Sequence, residues 1–112
     1  MNIKELYDKI NNIVKGKVLL EDDNIYWKLP NEITFTIGIS EREGYIEVNY
    51  KNYYITHWHP SNEEIYDDIM YMNNDVYWIK KKKLFGYSNP MFIEKNKYDS
   101  FSEKKKSKYI FI

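Results

Sequence analysis

The stretch Gly44–Pro60, GYIEVNYKNYYITHWHP, decides the fold. After the acidic turn Glu41-Arg42-Glu43, residues alternate strictly, with Ile46, Val48 and Tyr50 on one side and Tyr45, Glu47 and Asn49 on the other. A period of two marks a half-buried strand. Lys51-Asn52 fits a two-residue turn, because Asn tolerates the positive φ such turns require. That turn predicts a hairpin in which Tyr50 pairs with Tyr53, Val48 with Ile55 and Ile46 with His57. His57 and His59 then fall on the apolar side, while Tyr54, Thr56 and Trp58 share the side of Glu47. A slip of one residue would exchange the faces.

Working outward, Ile33, Phe35, Ile37 and Ile39 alternate with Thr34, Thr36, Gly38 and Ser40, which predicts a third strand beside the hairpin. Lys17–Glu21 and Asn24–Leu29 are two further strand candidates around the turn Glu21-Asp22-Asp23-Asn24. That turn lacks EF-hand spacing and its closing Glu, so it reads as solvated. A sheet with one apolar face needs a cover. Ile3, Leu6, Tyr7, Ile10, Ile13 and Val14 follow helical spacing, predicting a helix over about 2–15 that ends at Gly16 in a left-handed conformation. Pro60-Ser61-Asn62-Glu63-Glu64 opens a second helix over about 61–73, with Ser61 as cap and Glu64 completing a capping box. Val76–Ile79, Met91–Ile93 and Tyr109–Ile112 read as short strands, and residues 94–108 as loop. The expectation is one α+β domain over 1–112: an antiparallel meander of five to six strands with two helices packed on one face.

Composition bounds the function classes. The 112 residues include twelve Tyr, five Phe, three Trp and no Cys or Ala. The first counts imply an aromatic core, and the lack of Cys excludes disulfides and thiolate chemistry. The bias is bacterial-like, as an AT-rich coding sequence would produce. No signal peptide is evident, and no apolar run approaches the roughly 20 residues that span a bilayer. A cytoplasmic protein with no membrane among its partners is therefore expected. Net charge is zero, yet residues 1–79 carry a balance of −7 and residues 80–112 one of +7. Such segregation can create an acidic and a basic face.

Three groups of residues can carry function. His57 and His59, two apart on a strand, are the candidate catalytic pair and, with Glu63, the candidate ligands of a divalent metal. The spacing His57-x-His59-x3-Glu63 partly resembles the first cupin motif, but the motif's glycines would fall at Lys51 and Met70 and no second motif follows. Thr56-His57-Trp58-His59 resembles the metallo-β-lactamase signature, whose Asp and His would fall at Ser61 and Asn62. Neither motif is complete, and no cofactor is expected. Without metal, the pair suits acid–base work, including RNase-like cleavage.

Lys80, Lys81, Lys82 and Lys83, flanked by Trp78, Phe85 and Tyr87, suit phosphate contacts and base stacking. Four consecutive lysines on a strand point both ways, however, and the single arginine is Arg42. Nucleic acid is thus the weaker reading, behind lysines that guard a sheet edge. The third group is the acidic and aromatic surface of Tyr45, Glu47, Tyr54, Trp58, Glu63, Glu64, Asp67 and Asp68. Acidic side chains beside aromatic anchors suit docking of another protein, a basic one in particular. The leading expectation is a non-enzymatic protein-binding domain, similar in kind to small inhibitors and to immunity proteins of bacterial toxin systems. A small enzyme using His57 and His59 is the alternative, followed by a nucleic-acid-binding module.

Overall fold

A computed structural model describes all residues, 1–112. The fold is α+β, as the alternation and helical stripes require. Its internal contacts divide into two units, Met1–Asn73 and Asn74–Ile112. No helix is long and apolar enough to cross a membrane.

The first unit holds the expected meander. β1 (Lys17–Glu21), β2 (Asn24–Lys28), β3 (Ile33–Ile39), β4 (Gly44–Tyr50) and β5 (Tyr53–Trp58) pair in sequence order, every neighbour antiparallel. Asp22 and Asp23 both take positive φ, the geometry that matches a two-residue turn to strand twist. One face is apolar and buried: Ile25, Trp27, Ile33, Phe35, Ile37, Ile46 and Val48 lose essentially all contact with water. Each such side chain contributes roughly 1.5–3 kcal/mol of transfer free energy. Trp27 stacks on its cross-strand partner Phe35 with ring centroids 4.2 Å apart.

Two helices cover this face. α1 (Ile3–Ile10) is capped by Asn2, whose side chain accepts from Glu5 N, and buries Leu6 and Ile10. It is shorter than the expected 2–15. Ile13 and Val14 continue as a turn bonded to the Ile10 carbonyl, leaving Ile13 exposed and Val14 buried. Gly16 takes the predicted positive φ, +83°. α2 (Ile65–Asn74) buries Ile65, Ile69, Met72 and Asn73. It starts at Ile65, not at about 61 as expected, because the capping residues close a turn ahead of it: Glu64 N donates to Ser61 Oγ at 3.2 Å, and Ser61 Oγ donates to Glu64 Oε1 at 2.7 Å. The loop after α1 is fastened twice, because Lys15 N donates to buried Asn73 Oδ1 and Trp27 Nε1 donates to the Lys15 carbonyl. An interior polar group is tolerated there because it is hydrogen-bonded.

One expectation about the hairpin is corrected. Tyr50 pairs with Tyr53 as the turn predicts, and Asn49 with Tyr54. The register then shifts, so that Val48 faces Thr56, Glu47 faces His57 and Ile46 faces Trp58. Ile55 is the extra residue of a β-bulge, and beyond it the two faces exchange. Trp58 therefore lies on the side of buried Ile46 instead of beside Glu47, and the imidazoles lie outward instead of on the apolar side. The energetic reason is desolvation. An indole turned inward buries apolar area while its one N–H finds Asp68 Oδ2 at 2.9 Å. Two inward imidazoles would each need polar partners. The turn also departs in detail, because Lys51, not Asn52, carries the positive φ.

The second unit is a separate three-stranded antiparallel sheet in the order β7-β6-β8, with β6 (Val76–Lys81) between β7 (Met91–Glu94) and β8 (Tyr109–Phe111). The three strands expected from the sequence exist but pair with one another instead of extending the meander. Tyr77, Tyr98 and Phe111 form an aromatic cluster with centroids 5.1–5.5 Å apart. Residues 94–108, read as loop, contain two short helices, α3 (Lys95–Asp99) and α4 (Glu103–Lys106). The signals of α4 were present: Ser102 caps it by accepting from Lys105 N, Glu103 stands in its first turn and lysines in its last. Tyr98 supplies the buried side chain of α3. The charge asymmetry follows the units. Residues 1–73 carry a balance of −6 and residues 74–112 one of +6.

Candidate functional site

The outward face of the five-stranded sheet is built by the same alternation that builds the core. Cross-strand pairing lays Leu19, Tyr26, Thr36, Glu47 and His57 in one row, and Lys28, Thr34, Asn49 and Tyr54 in the next. Most of these side chains are half-buried, and Leu19, Lys28, Tyr54 and His57 are exposed. The bulge at Val48/Asn49 is what brings both histidines onto this face beside Tyr45 and Glu47.

At its β4–β5 end the face carries a connected polar and aromatic group. Tyr45 Oη donates to Glu47 Oε1 at 2.6 Å, and Asn49 Nδ2 donates to Glu47 Oε2 at 3.0 Å, so both carboxylate oxygens are occupied. The Tyr54 hydroxyl is hydrogen-bonded to His57 Nδ1. The His57 and His59 rings meet edge to face with centroids 5.5 Å apart, and the Tyr45 ring lies 5.8 Å from His57 and 5.4 Å from His59. His59 Nδ1 stands 3.4 Å from Glu43 Oε1. Glu43, Tyr45 and His59 also line a shallow cleft of about 340 Å³ together with Asp23, Asn24 and Ser40.

The electrostatics of Tyr45 and Glu47 follow from their shared hydrogen bond. That bond, reinforced by Asn49 and by the nearby His57, holds the Glu47 carboxyl below its ordinary value of 4.5, with burial opposing. The same bond, with burial and the Glu47 charge, pushes Tyr45 up from 10.0 to about 12. Both shifts link folding to pH. With its folded value depressed, Glu47 stabilises the fold above 4.5, and that contribution is lost as pH falls through the lower folded value. With its folded value raised, Tyr45 contributes stability that is intact below 10.0 and lost as pH rises towards about 12. Tyr45→Phe is therefore expected to flatten both the acid and the alkaline limb of the stability–pH profile, measured by urea unfolding at a series of pH values. Unchanged limbs would contradict the assigned hydrogen bond.

The sequence-derived residues are distributed as follows. His57, His59, Tyr45, Glu47 and Tyr54 come together on one face. Trp58 lies on the opposite side of β5, where it is half-buried and holds Asp68, so neither joins the exposed surface fully. Glu63, Glu64 and Asp67 are exposed around the start of α2. Pairing of Glu43 with Ser61, and donation from Gly44 N to the Pro60 carbonyl at 2.7 Å, set the acidic turn Glu41–Glu43 alongside that segment. Acidic side chains thus adjoin the imidazole end of the face.

No three His, Asp or Glu side chains gather closely enough to hold a metal ion, and His57, His59 and Glu63 do not form such a group. The four lysines do not share one strand: Lys80 and Lys81 end β6, Lys82 bridges to Tyr87, and Lys83 N donates to the Gly86 carbonyl. Asn49 was the residue missed in the polar group, although its place two beyond Glu47 on the same strand face pointed to it. Asp23, Asn24 and Ser40 reach the cleft through the pairing of distant strands, which no local pattern reveals. Comparison of the chain with protein-family models, with curated proteins and with solved structures returns no match, so the site is understood through its own residues.

Proposed function

We propose that this chain is a cytoplasmic, non-enzymatic protein-binding domain of the inhibitor or immunity type, and that it holds a basic partner protein on the outward face of its five-stranded sheet. The observation that carries this reading is the preset group Tyr45–Glu47–Asn49 with Tyr54–His57. Aromatic side chains already fixed by hydrogen bonds lose little conformational freedom on binding, which favours them as interface anchors. Glu43, Glu63, Glu64 and Asp67 near one end supply the charge that would steer a basic partner.

The test is affinity capture with the intact chain, followed by binding measurements on the recovered protein. Tyr45→Ala and Tyr54→Ala are each expected to weaken binding by about 2 kcal/mol, roughly thirtyfold. Reversing Glu63, Glu64 and Asp67 to Lys is expected to act mainly on the association rate and its salt dependence. Binding indifferent to both sets of changes would remove this face from the interface.

A second reading draws on one observation, the His59–Glu43 pair at the mouth of the cleft beside His57. A carboxylate can orient an imidazole for general acid–base work. That reading predicts a chemical activity lost in His59→Gln while partner binding persists.

A further inference from the structure

We propose that the second unit docks on an anionic phospholipid surface through the tip of its β6–β7 hairpin, as a peripheral contact and without crossing the bilayer. The tip is formed by Lys82–Tyr87. Lys82 pairs with Tyr87, Lys83 N donates to the Gly86 carbonyl at 2.9 Å, and Gly86 closes the turn at φ +87°. Leu84 and Phe85 stand at this turn and are each 90% exposed, more than any other large apolar side chain of the chain. Tyr87 follows at 53%. Nothing lies within 4 Å of a Cβ built on Gly86, so the turn reaches into open space.

The base of the tip is basic. Lys81, Lys82 and Lys83 lead into it, and Lys82 N donates to the Lys108 carbonyl at 2.8 Å, which fastens the Lys104–Lys108 segment beside them. Lys81, Lys104, Lys105 and Lys108 line a cleft with Ser102 and Tyr109. Lys106 pairs with Glu103 at 3.7 Å, whereas Lys81, Lys82, Lys83, Lys104, Lys105 and Lys108 stand in no ion pair. Lys105 instead lies over the Phe101 ring, 4.1 Å from its centroid.

An apolar pair projecting from a lysine-rich base is complementary to a layer that is negative outside and apolar beneath. The Leu84 and Phe85 side chains would enter the boundary between headgroups and acyl chains, while the lysines remain among the headgroups. Nucleic acid fits less well. The unit contains no arginine, the side chain best matched to phosphate in a bidentate way, and Leu84 offers no face on which a base can stack. A single strand lying along the lysine cleft would leave the apolar tip in water.

Co-sedimentation of the full chain with vesicles tests this. Binding is expected to phosphatidylcholine vesicles containing phosphatidylserine, not to phosphatidylcholine alone, and should fall as salt rises. Replacing Lys81, Lys82 and Lys83 together by Gln should lower affinity about a hundredfold. Leu84→Ser with Phe85→Ser should lower it at least about tenfold. Both variants should keep the parent melting temperature, because the tip side chains pack on nothing. The proposal is overturned by absence of sedimentation with phosphatidylserine, by equal binding to both vesicle types, or by tip variants that bind unchanged. Binding of a single-stranded oligonucleotide in place of vesicles would also overturn it and assign the lysine cleft to nucleic acid.

Discussion

Replacing Trp27 by alanine is expected to lower the unfolding free energy by about 3–5 kcal/mol, the usual cost of deleting a large buried aromatic. Three links support the upper half of that range. The indole is fully buried, it stacks on Phe35 at 4.2 Å, and its Nε1 donates to the Lys15 carbonyl at 2.6 Å. The last link ties the sheet to the loop that follows α1, so the substitution both empties the core and frees that loop. Trp27→Phe separates the two effects. It keeps most of the ring but leaves the Lys15 carbonyl without its donor, at a cost of about 1–3 kcal/mol. Domains of this size are stable by roughly 5–15 kcal/mol, so the alanine variant should unfold at a markedly lower denaturant concentration. Chemical denaturation followed by far-ultraviolet circular dichroism checks both values. A loss below about 1 kcal/mol for Trp27→Ala would place the indole outside the core, where surface changes have effects of that size.

Gly16→Ala should be almost as damaging, although it adds only one carbon. Gly16 has φ +83°, and a Cβ there would stand 2.1 Å from the Lys28 carbonyl oxygen. The left-handed conformation alone costs an L-residue about 1–2 kcal/mol. Relieving the clash must shift backbone atoms of Lys28 and Leu29 where α1's exit passes β2, and overpacking of that kind adds on the order of 1–3 kcal/mol. Gly86→Ala is the control. It has a similar φ of +87° but open space around it, so it should show the conformational cost alone. If the two variants lose equal stability, the close approach of Gly16 to Lys28 is wrong.

These two positions also mark what the sequence makes legible. Gly16 was readable because a helical stripe ended at it, β3 and β4 were readable from their alternation, and β1, β2 and β5 from the turns at Glu21–Asn24 and Lys51-Asn52. Ser61 and Glu64 announced the turn that leads into α2, though not its first residue. The bulge was not readable. Nothing local distinguishes a hairpin that continues in register from one that drops Ile55 out of the ladder, because the deciding term is tertiary: Trp58 gains burial and Asp68 of α2 by facing inward. That single residue decides whether the histidines sit in the core or on the outward face. The pairing of the last three strands into their own sheet was hidden for a similar reason, since strand patterns reveal faces and not neighbours. Helices α3 and α4, at five and four residues, are too short to show a stripe; α4 was visible through its Ser102 cap and terminal charges, and α3 has no side-chain cap to reveal it.

The charge pattern gains meaning from the division into units. What reads along the chain as an acidic first part and a lysine-rich end is an acidic unit with an aromatic sheet face and a basic unit with an apolar hairpin tip. The two proposals concern different surfaces and can fail independently. Loss of vesicle binding in the tip variants says nothing about the sheet face, and loss of partner binding in Tyr45→Ala says nothing about the tip.

The most direct test of the proposed protein-binding face is site-specific photo-crosslinking in cells. A photoreactive phenylalanine analogue would replace Tyr54 on the outward face, and in a separate variant Lys4 on the solvent side of α1. A discrete cross-linked protein is expected from position 54 and none from position 4, with loss of the product when Tyr45→Ala is added. Cross-links of equal yield from both positions, or none from position 54, would contradict the proposed protein-binding face.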